Sequence, residues 1–208
     1  MESKSPSIIA IGAVFAIVIG IVMALAGPGS KLGTGWQYLT SGQTTSQQSS
    51  NSRIDQTDRS QYTSQQEWAT WHGVSCSAAA MAYVLNGLGG HYTIHDVLQA
   101  ETGQISSNSG LYTGFDGIAT TVSRLGYHAS AVSGGIDGII GMANGGNPVI
   151  ISMQNSDWTF GHVLVVTGGD TSTLQVVDSW TTNRTSISRV DFANQWTGLA
   201  ATVKGGAQ

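Results

Sequence analysis

The chain holds one cysteine, Cys76, so no disulfide can form within it and a four-thiolate zinc site is excluded. Charge is scarce as well, at 10% of residues against roughly 25% in an average soluble domain. Eight Lys and Arg and a net charge of −4 cannot neutralise a phosphate backbone, and nucleic acid is not an expected partner. His91 and His95 stand four apart, but no carboxylate or cysteine completes a ligand set; neither metal nor cofactor is expected. Proline is rare too, at three residues, and Gly, Ser, Thr, Gln and Asn occupy the space that charge leaves.

One long apolar run is present. Ile8 to Ala26, IIAIGAVFAIVIGIVMALA, carries no charge. As a helix it would span about 28 Å, close to the hydrocarbon core of about 30 Å. Residues 8–26 are therefore read as a transmembrane anchor after a short flank, 1–7, with cleavage after Ala26 as the alternative that would release a secreted domain. A single span of this kind most often leaves the following domain extracytoplasmic. Residues 27–64 are rich in Ser, Thr and Gln and poor in apolar side chains, as in SGQTTSQQSSNS at 41–52, and read as a flexible stalk.

The folded domain is expected over 65–208. Met81, Val84, Leu85 and Leu88 recur on one helical face that stops at Gly89-Gly90, and Thr93 with Asp96 forms a capping-box pattern before Val97 and Leu98. Ile118, Val122 and Leu125 mark a third helix, and Ile136, Ile139 and Ile140 a fourth. The period then changes: Pro148–Met153, His162–Thr167, Leu174–Val177 and Ile187–Val190 are short β-rich runs parted by Gly, Asp or Asn. Helices first and strands second predict an α+β fold with an antiparallel sheet.

Three residues carry candidate chemistry. Cys76 stands where WHGVS turns into the helix SAAAMAYVL, so its thiol would face the unpaired N–H groups and positive end of a helix. Both favour the nucleophilic thiolate, although a buried structural cysteine fits the position equally well. Of five histidines, His162 alone opens a hydrophobic strand. Asp178 closes the next strand, and counting outward from a turn centred at Asp170 sets the two nearly opposite each other. An imidazole base held by a carboxylate is the arrangement of a nucleophilic triad.

These stretches, CSAAAMAYVLNGLG at 76–89, GHVLVVTGGD at 161–170, LQVVDSW at 174–180 and DFANQWTGLAATV at 191–203, resemble the papain-like cysteine peptidases that remove double-glycine leaders from bacteriocin precursors. The resemblance implies a papain-like fold and hydrolysis of peptide bonds through a thioester acyl-enzyme, with Cys76 as nucleophile, His162 as base and Asp178 as its orienter. It departs from the family pattern at Ser77, where Gly is usual, at Ser179, where Pro is usual, and at Thr70, where the oxyanion-hole Gln normally stands. Gln66, farther upstream, is the candidate for that last role. Two other readings share the scaffold: a different acyl-transfer enzyme, such as a cell-wall amidase or a transglutaminase-type crosslinker, and an inactive papain-like binding domain. Trp71, Trp158 and Trp180 neighbour the three candidates and are candidate cleft walls.

Overall fold

In a computed structural model the described residues are 51–101, 114–154 and 161–205. The expected flank, anchor and first part of the stalk, 1–50, lie outside them, as does Trp158. Among the described residues no helix is long and apolar enough to cross a membrane.

Among the described residues, six α-helices and six strands build the fold. α1 spans Gln65–Trp71, α2 Cys76–Gly87, α3 Ile94–Ala100 and α4 Phe115–Arg124; β1 is Tyr127–Ala131, α5 Gly135–Asn144, β2 Val149–Met153, β3 His162–Gly169, β4 Thr173–Val177, β5 Ser186–Ser188, α6 Arg189–Gln195 and β6 Trp196–Gly205. The strands form one sheet in the order β1-β6-β2-β3-β4-β5, and every neighbouring pair is antiparallel. The expected α+β architecture is thus observed.

The hydrophobic runs explain the layering. β2 is buried at all five positions and β3 at its first five, because the sheet is covered on both faces. Ile150, Val163, Val165 and Ala201 join the core with α2, α3 and α4. Their sequence neighbours Ile151, Leu164, Val166 and Ala200 join a second core with α5 and α6. Strand alternation thus deals residues to two cores in turn.

α2 is the central helix. Nine of its residues are buried, including Ala78, Ala79, Ala80 and Ala82, so it has no wet face; small side chains let it lie close to β3. Met81, Val84 and Leu85 are in the core as their spacing predicts, but Leu88 falls one residue beyond the helix and is exposed. The capping box forms: Thr93 Oγ1 accepts from the Asp96 N–H, and the Asp96 carboxylate accepts from Thr93.

Two expectations differ from the structure. The strand read at Ile187–Val190 stops at Ser188, which caps α6 by accepting from the Asp191 N–H; Val190 is then an exposed helical residue. The stalk read as 27–64 ends earlier, since residues 51–64 hold fixed positions against the fold. Gln56 and Tyr62 are buried there, and Trp68 Nε1 donates to the Thr57 carbonyl. Polar composition misleads here because hydrogen bonds to other elements hold much of the segment, while Ile54 and Tyr62 reach the core.

Candidate active site

Cys76 is the first residue of α2, and the way the helix begins matters to its chemistry. Ser75 occupies the N-cap but makes no side-chain cap hydrogen bond. Its hydroxyl lies 2.8 Å from the Tyr62 hydroxyl instead. The helix start is therefore left without the usual side-chain acceptor for its N–H groups, which can serve an incoming anion. The thiol itself is buried, 6% exposed.

His162 opens β3 after Gly161, whose φ of +80° is a left-handed conformation that suits glycine. Its Nε2 lies 2.7 Å from Asp178 Oδ1, and both side chains are buried. Cys76 lies close enough to hydrogen-bond the same ring. Burial alone would lower the pKa of this histidine. The hydrogen bond donated to Asp178, and then the hydrogen bond and charge of Cys76, outweigh burial and raise it from 6.5 to about 9. The ring is thus in electrostatic contact with both partners.

The strand pairing that joins histidine to acid is not the simple hairpin the spacing implies. Near the turn Gly169 pairs with Leu174 and Gly168 with Gln175. The register then slips by one between Val166 and Gly168, so that Val166 pairs with Val176 and Val165 with Val177. Extended by one residue, the slipped ladder sets Asp178 opposite Leu164, two positions from His162 and on its side of the hairpin. Without the slip Asp178 would fall opposite Val165, on the other side, because a one-residue change of register reverses every side chain. His162 and Asp178 are diagonal neighbours, within reach of two long side chains.

Asp178 is held by donors on both oxygens. Oδ1 also accepts from the Trp180 N–H at 2.8 Å, while Oδ2 accepts from Thr182 Oγ1 and the Arg184 N–H, each at 3.3 Å. Asn183, the one non-glycine among the described residues with positive φ (45°), turns the loop between these last two donors. Burial raises the carboxyl's pKa, but the bond and charge of His162 with the Trp180 and Arg184 N–H groups bring it below the usual carboxylate range.

The structure thus brings Cys76, His162 and Asp178 together. Gln66 is the second residue of α1 with an exposed side chain, and its carbonyl accepts from Thr70 Oγ1 at 2.8 Å. His72 stacks on Trp68 at 4.2 Å, and His95 pairs with Glu67 at 2.6 Å; neither joins the trio. Among the described residues no group of three His, Cys, Asp or Glu could hold a metal.

Two of the three departures, Ser77 and Ser179, have buried partners. Ser77 Oγ donates to the buried Glu101 Oε1 at 3.2 Å. Ser179 Oγ donates to Gln56 Oε1 at 2.7 Å. Gln56 and its neighbour Arg53, whose guanidinium contacts the carbonyls of Asp178 and Trp180 at 2.6 Å each, are absent from the sequence reading. No local pattern marks them, since a Gln and an Arg in a Ser- and Gln-rich tract look like solvated stalk.

Comparison with known proteins follows the same geometry. The model of the Peptidase_C39 like family matches residues 57–203. No curated protein matches the sequence. Among solved structures, the peptidase domain of Streptococcus ComA, a bi-functional ABC transporter involved in quorum sensing, is 21% identical, with 65% of this chain and 93% of that one covered at a TM-score of 0.54. A C39-like peptidase from Bacillus anthracis is 14% identical, with 64% and 90% covered at a TM-score of 0.50. At such identities these likenesses establish the fold.

Proposed function

The chain belongs to the Peptidase_C39 like family and is a cysteine peptidase; from that premise we propose that it cleaves peptides with Cys76 as nucleophile, His162 as acid and base, and Asp178 as the group that orients and charges His162. The observation that carries this reading is the 2.7 Å bond between His162 and the buried Asp178, with Cys76 in electrostatic contact with the same ring.

In the first half-reaction Cys76 Sγ attacks the scissile carbonyl carbon. The oxygen becomes an oxyanion, which N–H groups at the start of α2 hold. The carbon–nitrogen bond then breaks, the imidazolium of His162 gives its Nδ1 proton to the leaving amine, and a thioester to Cys76 remains. In the second half His162, now neutral, takes a proton from water. The resulting hydroxide attacks the thioester, releases the acid product and restores the sulfur–imidazole pair. Asp178 keeps Nε2–H as the fixed donor throughout, so the proton exchanged is always the one facing sulfur.

The domain is read as working outside a membrane to which residues 8–26 anchor it, a placement supported by the uncharged run alone. The direct test is mass-spectrometric profiling of peptide mixtures treated with the full-length chain, with Cys76→Ala as control. Site-specific cleavage lost in the control is expected. Identical products from both proteins would remove the peptidase assignment of Cys76.

A further inference from the structure

The nucleophile and the acid sit on elements that share no ladder: Cys76 begins α2, Asp178 follows β4, and β3 lies between. One buried side chain outside the trio touches the approaches to both. Gln56, 1% exposed, accepts from Ser179 Oγ at 2.7 Å and donates from Nε2 to the His72 carbonyl at 2.9 Å. Ser179 adjoins the acid, and His72 lies in the loop that leads into the nucleophile. The Gln56 backbone repeats the pattern: its N–H donates to the Ser179 carbonyl at 3.0 Å. Its own carbonyl accepts from Tyr62 Oη at 2.6 Å, the hydroxyl that also engages Ser75 beside Cys76.

Three residues earlier, Arg53 forks onto the same loop. Nε and Nη2 reach the carbonyls of Asp178 and Trp180, and Nη1 reaches Asp55 Oδ2 at 2.9 Å. Asp55 in turn fixes Thr57 through Oδ1, at 2.8 Å from both its N–H and its hydroxyl. Residues 53–57 are thus pinned on both sides of the crossbar that Gln56 makes.

We propose that Gln56, clamped by Arg53, is a positioning residue that sets the spacing between the Cys76 loop and the Asp178 loop, so that the segment joining the stalk to the domain is a working part of the site. The inference rests on the peptidase reading of the trio. Arg53 and Gln56 both precede residue 57, where the family match begins. Such a strap also makes the site sensitive to whatever happens to the tether, since displacing residues 53–56 would free the acid's loop without touching a reacting group.

The test uses the full-length chain. Gln56→Met keeps the length of the side chain and removes both amide bonds; Ser179→Ala removes only the link to the acid's neighbour, and Ser179→Thr restores a hydroxyl there. Thermal melting reports the fold. Steady-state cleavage and the rate of Cys76 alkylation by iodoacetamide report the site. Gln56→Met and Ser179→Ala are expected to lower kcat about ten- to a hundredfold with KM within about twofold, since a misplacement near 1 Å costs about that much. The alkaline limb of the pH profile should move to lower pH in both, and Ser179→Thr should recover most of the loss. If Gln56→Met does not fold, the Ser179 pair decides. Folded variants with unchanged kcat and pH profile overturn the strap, provided His162→Ala slows alkylation. An unchanged alkylation rate in His162→Ala overturns the peptidase reading, and the strap with it.

Discussion

Replacing Asp178 by Asn isolates what the carboxylate does for the imidazole. All four groups around it are donors: the His162 ring and the Trp180 N–H at Oδ1, Thr182 Oγ1 and the Arg184 N–H at Oδ2. A carboxylate accepts from all of them, whereas a carboxamide offers one acceptor atom and one NH₂ group. Either amide orientation therefore sets N–H against N–H, facing the ring and Trp180 or facing Thr182 and Arg184. The charge is lost as well. His162 stands at about 9 against an ordinary 6.5, on the order of 3 kcal/mol in favour of the charged ring, supplied against the cost of burial by Asp178 and Cys76 together. Removing the Asp178 share leaves burial opposed by Cys76 alone, and the ring's pKa must fall. The chemistry needs imidazolium to protonate the leaving amine, so the alkaline limb of kcat/KM, near 9 in the wild type, should drop by at least about one pH unit in Asp178→Asn. With the limb one unit lower, the charged ring at pH 8 becomes about twofold scarcer, and misorientation of the ring lowers the rate further. The assay is kcat/KM on one cleaved peptide from pH 5 to 10. An unmoved alkaline limb would show that Asp178 does not set the state of His162.

Further outcomes follow from the same contacts. Gln66→Ala should change kcat by less than about tenfold, because its side chain is exposed on α1; loss of an oxyanion donor would cost about 10²–10³. Leu85→Ala, at a fully buried position of α2, should cost about 2–5 kcal/mol in denaturant unfolding. Thr93→Ala, which breaks the capping box of α3, should cost about 0.5–2 kcal/mol by the same measurement. Stability against pH has two signs. The part that comes from charged His162 is complete below 6.5 and is lost as pH rises through about 9, and the part from Asp178 is lost on acidification through its lowered pKa. Melting curves should show the alkaline loss in the wild type and a smaller one in His162→Ala.

Local signals account for much of what was legible. Helices α2, α4 and α5 announce themselves by apolar period and by glycines after their ends, α3 by its capping box, and β2 to β4 by β-branched runs with hairpin-length links. Cys76 and His162 were legible from their places at a helix start and a strand start. What stayed hidden is long-range. β6, last in the chain, inserts between β1 and β2, and no local pattern encodes that pairing. Symmetric counting about Asp170 picks out the acid that bonds His162 but in the wrong register, because the hairpin turns between Thr171 and Ser172 and the ladder then slips by one beside Thr167. Arg53 and Gln56 were unreadable for another reason: Arg53 reaches the Asp178 carbonyl and Gln56 the Ser179 hydroxyl, both over a hundred residues away, and in sequence they look like solvated polar residues.

Because the chain has a single thiol, the pairing of Cys76 with His162 can be measured without knowing any substrate. Iodoacetamide alkylation at pH 7, followed by intact mass, should proceed at least about tenfold faster in the wild type than in His162→Ala, since the imidazolium stabilises the reacting form of the sulfur. Equal rates in the two proteins would mean that the ring does not act on the sulfur, and the proposed mechanism would be wrong at its first step.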